Sequence, residues 1–293
     1  MISMTLAANA SPRASASDRY PSKSELESAF RAIRRARVPQ IPDLVFALRD
    51  ELRRPEPDLR RAAELIGQDP AMAGQVLKTV NSPFFFCPTK ISSVQRAVML
   101  MGIGKLANLV TAEAINRVLG AGDGRSRAVW DAAMAQARLM AAISGDVEGV
   151  TADEAYLFGI MQDVGSLIFA DLVPDYSSEW VLCNFAAPQA LIDCERRLFG
   201  VDHMAVGFLL AGTWRLPEHL AMAIYHHHEQ EITGLEDYRV RALIAIAKLA
   251  YYLAGVRHET HDSSEMLDYR ESASQELALS DEAWSRLAAL AGH

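Results

Sequence analysis

Apolar residues recur at spacings of three and four along most of the chain. Leu59, Ala62, Ala63 and Ile66 make one such set and Val94, Ala97, Val98 and Met101 another. At 3.6 residues per turn each set lies on one face of a helix. No sustained two-residue alternation, the signature of a half-buried strand, competes with them. The breaks between sets are also those of helices. Asp58 can cap the helix that follows Pro57, and Asp69 can cap one that has Pro70 at its first position. Asn81, Ser82 and Pro83 stop that helix, Ser92 and Ser93 precede the next, and Gly102 and Gly104 separate it from 105–119. Further helices are predicted over 129–143, 152–162, 190–199, 204–214, 220–227 and 240–253. Two weakly apolar helices follow an acidic stretch that begins at Glu259, around Leu277 and Leu287. The pattern predicts an all-α helical bundle.

Two passages depart from it. Residues 1–16 are rich in Ala and Ser without an apolar period, so 1–20 is expected to be a disordered leader. Residues 120–125, around Gly120, Gly122 and Gly124, form a loop that divides a helical subdomain at 21–120 from a second at 126–255, with 256–293 as a helical extension. The chain has 293 residues, half of them hydrophobic, and contains no run of about 18 uncharged apolar residues. Neither membrane insertion nor secretion is expected. Cys87, Cys183 and Cys194 are an odd number without CxxC pairing, which supports neither a disulfide framework nor a thiolate zinc site and suits a reducing cytoplasm. The net charge of −8 argues against a large phosphate-binding surface, so nucleic acid is not expected as a partner. Arg31, Arg34, Arg35 and Arg37 read as the solvated face of a helix. The passage 93–119 has a helix-turn-helix outline, but its second part offers too few donors to a groove.

Two stretches are more specific than helicity alone. The first runs from Val38, Pro39, Gln40, Ile41 and Pro42 through Asp69-Pro70, Val76-Leu77 and Asn81-Ser82 to Ala97-Val98 and Met101-Gly102. The second contains Glu195, Gly200, Asp202-His203, Val206-Gly207, Trp214, Leu216-Pro217, Ala223-Ile224 and His227-His228. Their order and spacing resemble the HDOD family, helical signalling domains of bacteria related to the HD-type metal phosphohydrolases, over about 38–253. The resemblance implies an HDOD-type bundle whose second subdomain is a degenerate HD domain.

HD-type hydrolases hold divalent metals with several histidines and aspartates, and the metal makes hydroxide available near neutral pH. The resemblance places Ala132 close to where the first ligand histidine would stand, Gln162 at the histidine of the HD dyad, and Lys248 at the final aspartate. Alanine cannot ligate, an amide oxygen is a poor ligand beside imidazole, and an ammonium repels a cation. What remains is Asp163, His203, His227 and His228, with His219 and His226 nearby. The residual pocket candidates are therefore Gln162, Asp163, His203, His227, His228 and Lys248, with no catalytic, cofactor or metal site expected. Lys248 is expected to lie beside Asp163, standing where the metal charge stood. Neighbouring histidines in a helix point about 100° apart, so His226, His227 and His228 cannot all face one ion.

Other residues read as structure. Met99, Met101, Met134, Met140 and Met161 are expected in the core, and Cys183 and Cys194 as buried thiols. Phe84, Phe85 and Phe86 between prolines cap helix ends, or one ring reaches a partner. The expected function is a non-catalytic regulator of bacterial signal transduction, cytoplasmic and working through protein contact with other signalling proteins. The alternatives are a weak metal-dependent phosphohydrolase and a nucleotide- or anion-binding module with Lys248 and the histidines as counter-charges. The sequence leaves the partner, the signal and the oligomeric state open.

Overall fold

The computed structural model describes residues 20–36, 40–82, 90–119, 124 and 126–291. The leader before Tyr20 and the trio Phe84, Phe85 and Phe86 lie outside the described residues. Fifteen α-helices and no strand occur among those described. They are α1 (Lys23–Arg35), α2 (Asp43–Leu52), α3 (Leu59–Gly67), α4 (Pro70–Val80), α5 (Val94–Leu119), α6 (Arg127–Ile143), α7 (Ala152–Met161) and α8 (Val164–Leu172). There follow α9 (Tyr176–Asn184), α10 (Pro188–Phe199), α11 (His203–Thr213), α12 (Glu218–His226), α13 (Tyr238–Arg257), α14 (Ser264–Leu277) and α15 (Asp281–Ala291).

The local signals act as expected. Asp58 accepts from the N–H groups of Arg60 and Arg61, and Asp69 from that of Met72, with Pro70 at the first helical position. Asn81 ends α4 and binds the backbone of Ile91 through both ends of its amide, which fixes the approach to α5. Gly102 interrupts α5 with φ 81° and ψ 160°, a conformation that only glycine adopts freely. The helices 164–172 and 176–184 are absent from the sequence reading; the apolar residues of the first are nearly continuous, and in a helix buried on all sides the 3.6-residue period vanishes, while the second is short and has Ser177, Ser178 and Glu179 in its first turn, too few apolar positions to show a period.

Helices α2 to α5 pack together, and the second part of α5 packs on α7 to join them to the remainder. Helix α1, capped by a reciprocal Ser22–Glu25 pair, lies against α11 and α8. Tyr20, assigned to the leader, hydrogen-bonds to Glu218 and packs edge-on against Phe208. The C-terminal extension is likewise part of the body, because α14 lies along α13 and buries Met266, Tyr269 and Ala273. Two stretches, Val94–Leu119 and Ala152–Leu172, have the length and apolar content of a membrane span, but most of their residues are buried among other helices. Met134, Met140 and Met161 are core, whereas Met99 is 69% exposed, contrary to expectation. Cys183 and Cys194 are only partly buried.

Candidate functional site

Seven chain segments contribute to a polar cluster in the second part of the chain. Gln162 and Asp163 occupy the junction between α7 and α8, and both are fully buried. The junction comes this close to α11 because residue 165 is glycine: a Cβ there would stand 2.2 Å from the carbonyl oxygen of His203. His203 begins α11 behind Asp202, which caps the helix through the N–H of Ala205 and pairs with Arg196. Glu195, from α10, accepts from the backbone N–H of His203 at 2.8 Å and lies 2.7 Å from its Nδ1. The other oxygen of Glu195 accepts from the hydroxyl of Tyr176. His227 and His228 follow the end of α12.

The ring nitrogens can be assigned from their partners. Nδ1 of His227 lies 2.8 Å from the carbonyl of Ile224, which can only accept, so that nitrogen carries a hydrogen and Nε2 is the atom turned toward the cluster. Nε2 of His203 is 3.4 Å from Nε2 of His227 and 3.6 Å from Oδ1 of Asp163. The distance from Nε2 of His227 to the same oxygen is 3.9 Å. Oδ2 of Asp163 accepts from the hydroxyl of Tyr251 at 2.9 Å and from the amide of Gln162 at 3.3 Å. Nδ1 of His228 is 2.6 Å from the hydroxyl of Tyr269. Burial pushes the Asp163 carboxyl up to about 6, against the pull of His203 and Tyr251. Burial would lower His203, but Glu195 beside Nδ1 and Asp163 beyond Nε2 outweigh it and raise the imidazole to about 9. Protonated His203 thus stands as the cation between two buried carboxylates.

Lys248 does not take that place. It is fully buried on α13, and its Nζ donates to the carbonyl of Gln230 at 3.0 Å and to the hydroxyl of Ser272 at 2.8 Å, above the ring of Tyr269. No ion pair joins it to Asp163 among the described residues. Burial lowers its ammonium to about 8, opposed by Glu231, Glu229 and Asp268. The long stem carries the charge away from the cluster, and Tyr251, nearly one turn further along α13, reaches Asp163 instead. The anion-binding alternative loses its chief counter-charge by this. His226 turns away to Glu229, and His219 joins Glu154, which also binds Arg239. His227 and His228 can both face the cluster because the helix ends at His226.

Asp163, His203, His227 and His228 offer ligand atoms that all lie within 4.8 Å of one another. Ligands 2.0–2.2 Å from a tetrahedral ion stand about 3.3 to 3.6 Å apart. The separations of 3.4, 3.6 and 3.9 Å among His203, His227 and Asp163 approach that spacing. Their outer ring nitrogens are held by Glu195 and Ile224, as those of metal-bound histidines usually are. The donors present fit one divalent transition ion. Ala132 and Lys248 add nothing to them; Gln162 donates its amide N–H to Asp163, while its carbonyl oxygen, a weak ligand, is buried without a hydrogen-bond partner. Access is the other half of the chemistry. Asp163, His203 and His227 are all fully buried. The cleft over His228 and Tyr269, with Gln189, Ile192, Gln230 and Glu265 on its walls, has a volume of about 20 Å³, room for about one water.

The HDOD domain matches residues 38–230. The chain belongs to the HDOD family. Among similar chains, an uncharacterized protein of Treponema pallidum is 26% identical over 196 residues, which are 65% of this chain and 37% of that protein. This chain therefore spans well under half the length of that curated relative. A candidate phosphohydrolase from Shewanella amazonensis has a solved structure that matches with a TM-score of 0.65 at 21% identity, over 92% of this chain and 94% of that one. A candidate signal-transduction protein from Marinobacter aquaeolei matches with 0.62 at 20% identity, over 92% of this chain and 65% of that one. At these identities the likeness is one of fold. The HDOD match ends at 230, so Tyr251 and Tyr269, which close the cluster, come from beyond it. Sequence reasoning missed Tyr251, Tyr269 and Tyr176 as parts of the site, and it took Glu195 only as a mark of the family. The signal available was a phenol on an otherwise apolar helix face, because a buried hydroxyl needs a partner.

Proposed function

We propose that this HDOD protein is a non-catalytic regulator of bacterial signal transduction that works through protein contact, its former hydrolase pocket serving as a packed polar core. Closure of that pocket carries the reading. A phosphate ester is several times larger than the single water that the cleft at His228 can hold, and the three innermost polar side chains are fully buried. The substitutions Ala132, Gln162 and Lys248 point the same way. In this reading protonated His203 offsets one of the two charges of Asp163 and Glu195 and ties α8, α10 and α11 together, so that the helices present a fixed outer surface. The test is affinity isolation of the full chain from its native cell, followed by reconstitution from purified components. A stoichiometric complex with a specific signalling protein is expected. Failure to find one, with nucleotides binding tightly in a thermal-shift screen, would replace the reading with a ligand-binding module.

The donor spacing around Asp163 favours a second reading, a resident divalent ion held by His203, His227, Asp163 and His228. Bound there, it would supply Lewis acidity to whatever reached it. Metal analysis of the purified protein separates the two: a stoichiometric transition metal lost in Asp163→Ala and His227→Ala would support the second.

A further inference from the structure

Residues 70–112 contain Lys78, Lys90, Arg96 and Lys105 and not one carboxylate, in a chain of net charge −8. All four cations are exposed, and none forms an ion pair with a carboxylate among the described residues. The remaining exposed cations are more often paired, as Arg117 is with Asp69 and Arg215 with Asp50. The first part of α5 adds an apolar element to this basic segment. Val94, Ala97 and Val98 face the core, while Gln95, Arg96, Met99 and Leu100 are exposed. Gln95 and Met99 are four apart, as are Arg96 and Leu100, so these side chains form one stripe. Met99 is 69% and Leu100 60% exposed, the two highest values among the large apolar side chains described. The break at Gly102 ends this stretch, after which Ile103, Leu106 and Ala107 are buried again.

We infer that the stripe of Arg96, Met99 and Leu100 is a docking face for another protein, and that the partner brings to it an amphipathic helix with acidic residues beside its apolar side. The inference rests on the protein-contact reading and names the surface through which that contact is made. An unbranched methionine adapts to differing apolar shapes, which suits it to a recognition surface more than to solvent. Arg96 supplies charge at the edge of the apolar pair, and the carboxylate-free stretch around it attracts an acidic partner while the acidic remainder of the chain repels one. A nucleic acid fits less well, since it would not reward two apolar side chains at the centre of the site and would need a denser array of cations. A bilayer fits less well too, because an interfacial helix needs a long apolar face and this one exposes two residues.

The test places a photo-crosslinker, p-benzoylphenylalanine, at Met99 of the full chain in its native cell, with the same group at exposed Glu271 as control. Mass spectrometry then identifies what is joined. The expected product is a segment of another protein that is net negative and has helical apolar spacing, joined at 99 and not at 271. Reconstituted with the purified chain, that protein should bind about thirtyfold more weakly to Met99→Asp. Its loss of affinity for Arg96→Glu relative to wild type should be larger at low salt than at high salt. Melting temperature should be unchanged in both variants. Crosslinks at 99 only to nucleic acid, to lipid or to a second copy of this chain, or no crosslink above the control, would overturn the inference. A protein partner that binds the two variants as well as wild type would overturn it while leaving the protein-contact reading intact. Absence of any protein partner at either position and in affinity isolation would remove both.

Discussion

Replacement of Lys248 by Met tests how the interior of the second subdomain is balanced. The ammonium of Lys248 is buried without a carboxylate in contact, held by the Gln230 carbonyl and the Ser272 hydroxyl. Its descent from 10.5 to about 8 corresponds to roughly 3 kcal/mol by which the charged form is worse accommodated in the folded than in the unfolded chain. The sign follows from proton counts. Between the folded value near 8 and the unfolded 10.5 the unfolded chain binds more protons, so stability rises with pH across that window and the cost is complete below it. Methionine has similar length and no charge, and removing a buried charge in favour of an apolar side chain is often neutral or stabilising. Lost hydrogen bonds to Gln230 and Ser272 offset part of the gain, at about 1 kcal/mol each. Lys248→Met is therefore expected to be about 1 kcal/mol more stable than wild type at pH 7, and to lose about 2 kcal/mol relative to wild type by pH 9.5. Lys248→Ala, which leaves a cavity, is expected to be less stable by about 2 kcal/mol or more at pH 7. Urea denaturation of the three proteins at pH 7, 8, 9 and 9.5 gives these differences directly, since other titrating groups cancel. A Lys248→Met protein as destabilised as Lys248→Ala at pH 7, or a difference from wild type that does not change with pH, would refute the reasoning.

Three further outcomes are expected. Gly165→Ala should destabilise by about 3 kcal/mol, because its Cβ would meet the backbone of His203 at 2.2 to 2.8 Å, while Gly212→Ala, which meets nothing within 4 Å, should not destabilise; thermal melts compare the two. Tyr251→Phe withdraws a hydrogen bond from Asp163 and should cost about 2 kcal/mol when the carboxylate is ionised, so urea midpoints should show a larger loss at pH 7.5 than at pH 5, below the Asp163 value of about 6. Glu195→Gln removes the main support for protonated His203, whose elevation from 6.5 to about 9 stabilises the fold fully below pH 6.5 and is lost as pH rises through 9. Imidazole nitrogen NMR should find His203 protonated at pH 7.5 in wild type and neutral in that variant, and the stability gap between them should shrink from pH 6.5 to 9.

Much of the fold was legible because its signals are local. Asp58, Asp69, Pro70 and Gly102 act on the turn in which they stand, and their roles follow from residue type and spacing. The site was legible only as far as the HDOD resemblance carried it. Asp163, His203, His227 and His228, singled out through the resemblance, offer ligand atoms within 4.8 Å of one another. The place of Lys248 was misjudged because position on a helix does not settle where a long side chain ends; its ammonium goes to the backbone of Gln230, more than fifteen residues away along the chain. Met99 was misjudged because periodicity assigns a face only when the helix continues, and the break at Gly102 leaves the end of the first stretch exposed. Tyr251 and Tyr269 escaped notice since in sequence they look like any aromatic on a helix, and their hydroxyl partners are supplied by Asp163 and His228 from distant segments.

The measurement that bears most directly on the whole account is turnover. Purified full-length chain, supplied with Mn²⁺, Fe²⁺ or Zn²⁺ in turn, is assayed against a panel of phosphate monoesters, cyclic and linear dinucleotides and nucleotides, beside Asp163→Ala prepared in the same way. A closed pocket of protonated His203 between Asp163 and Glu195 predicts no hydrolysis above that of the Asp163→Ala protein with any metal. Metal-dependent turnover that disappears in Asp163→Ala would contradict it.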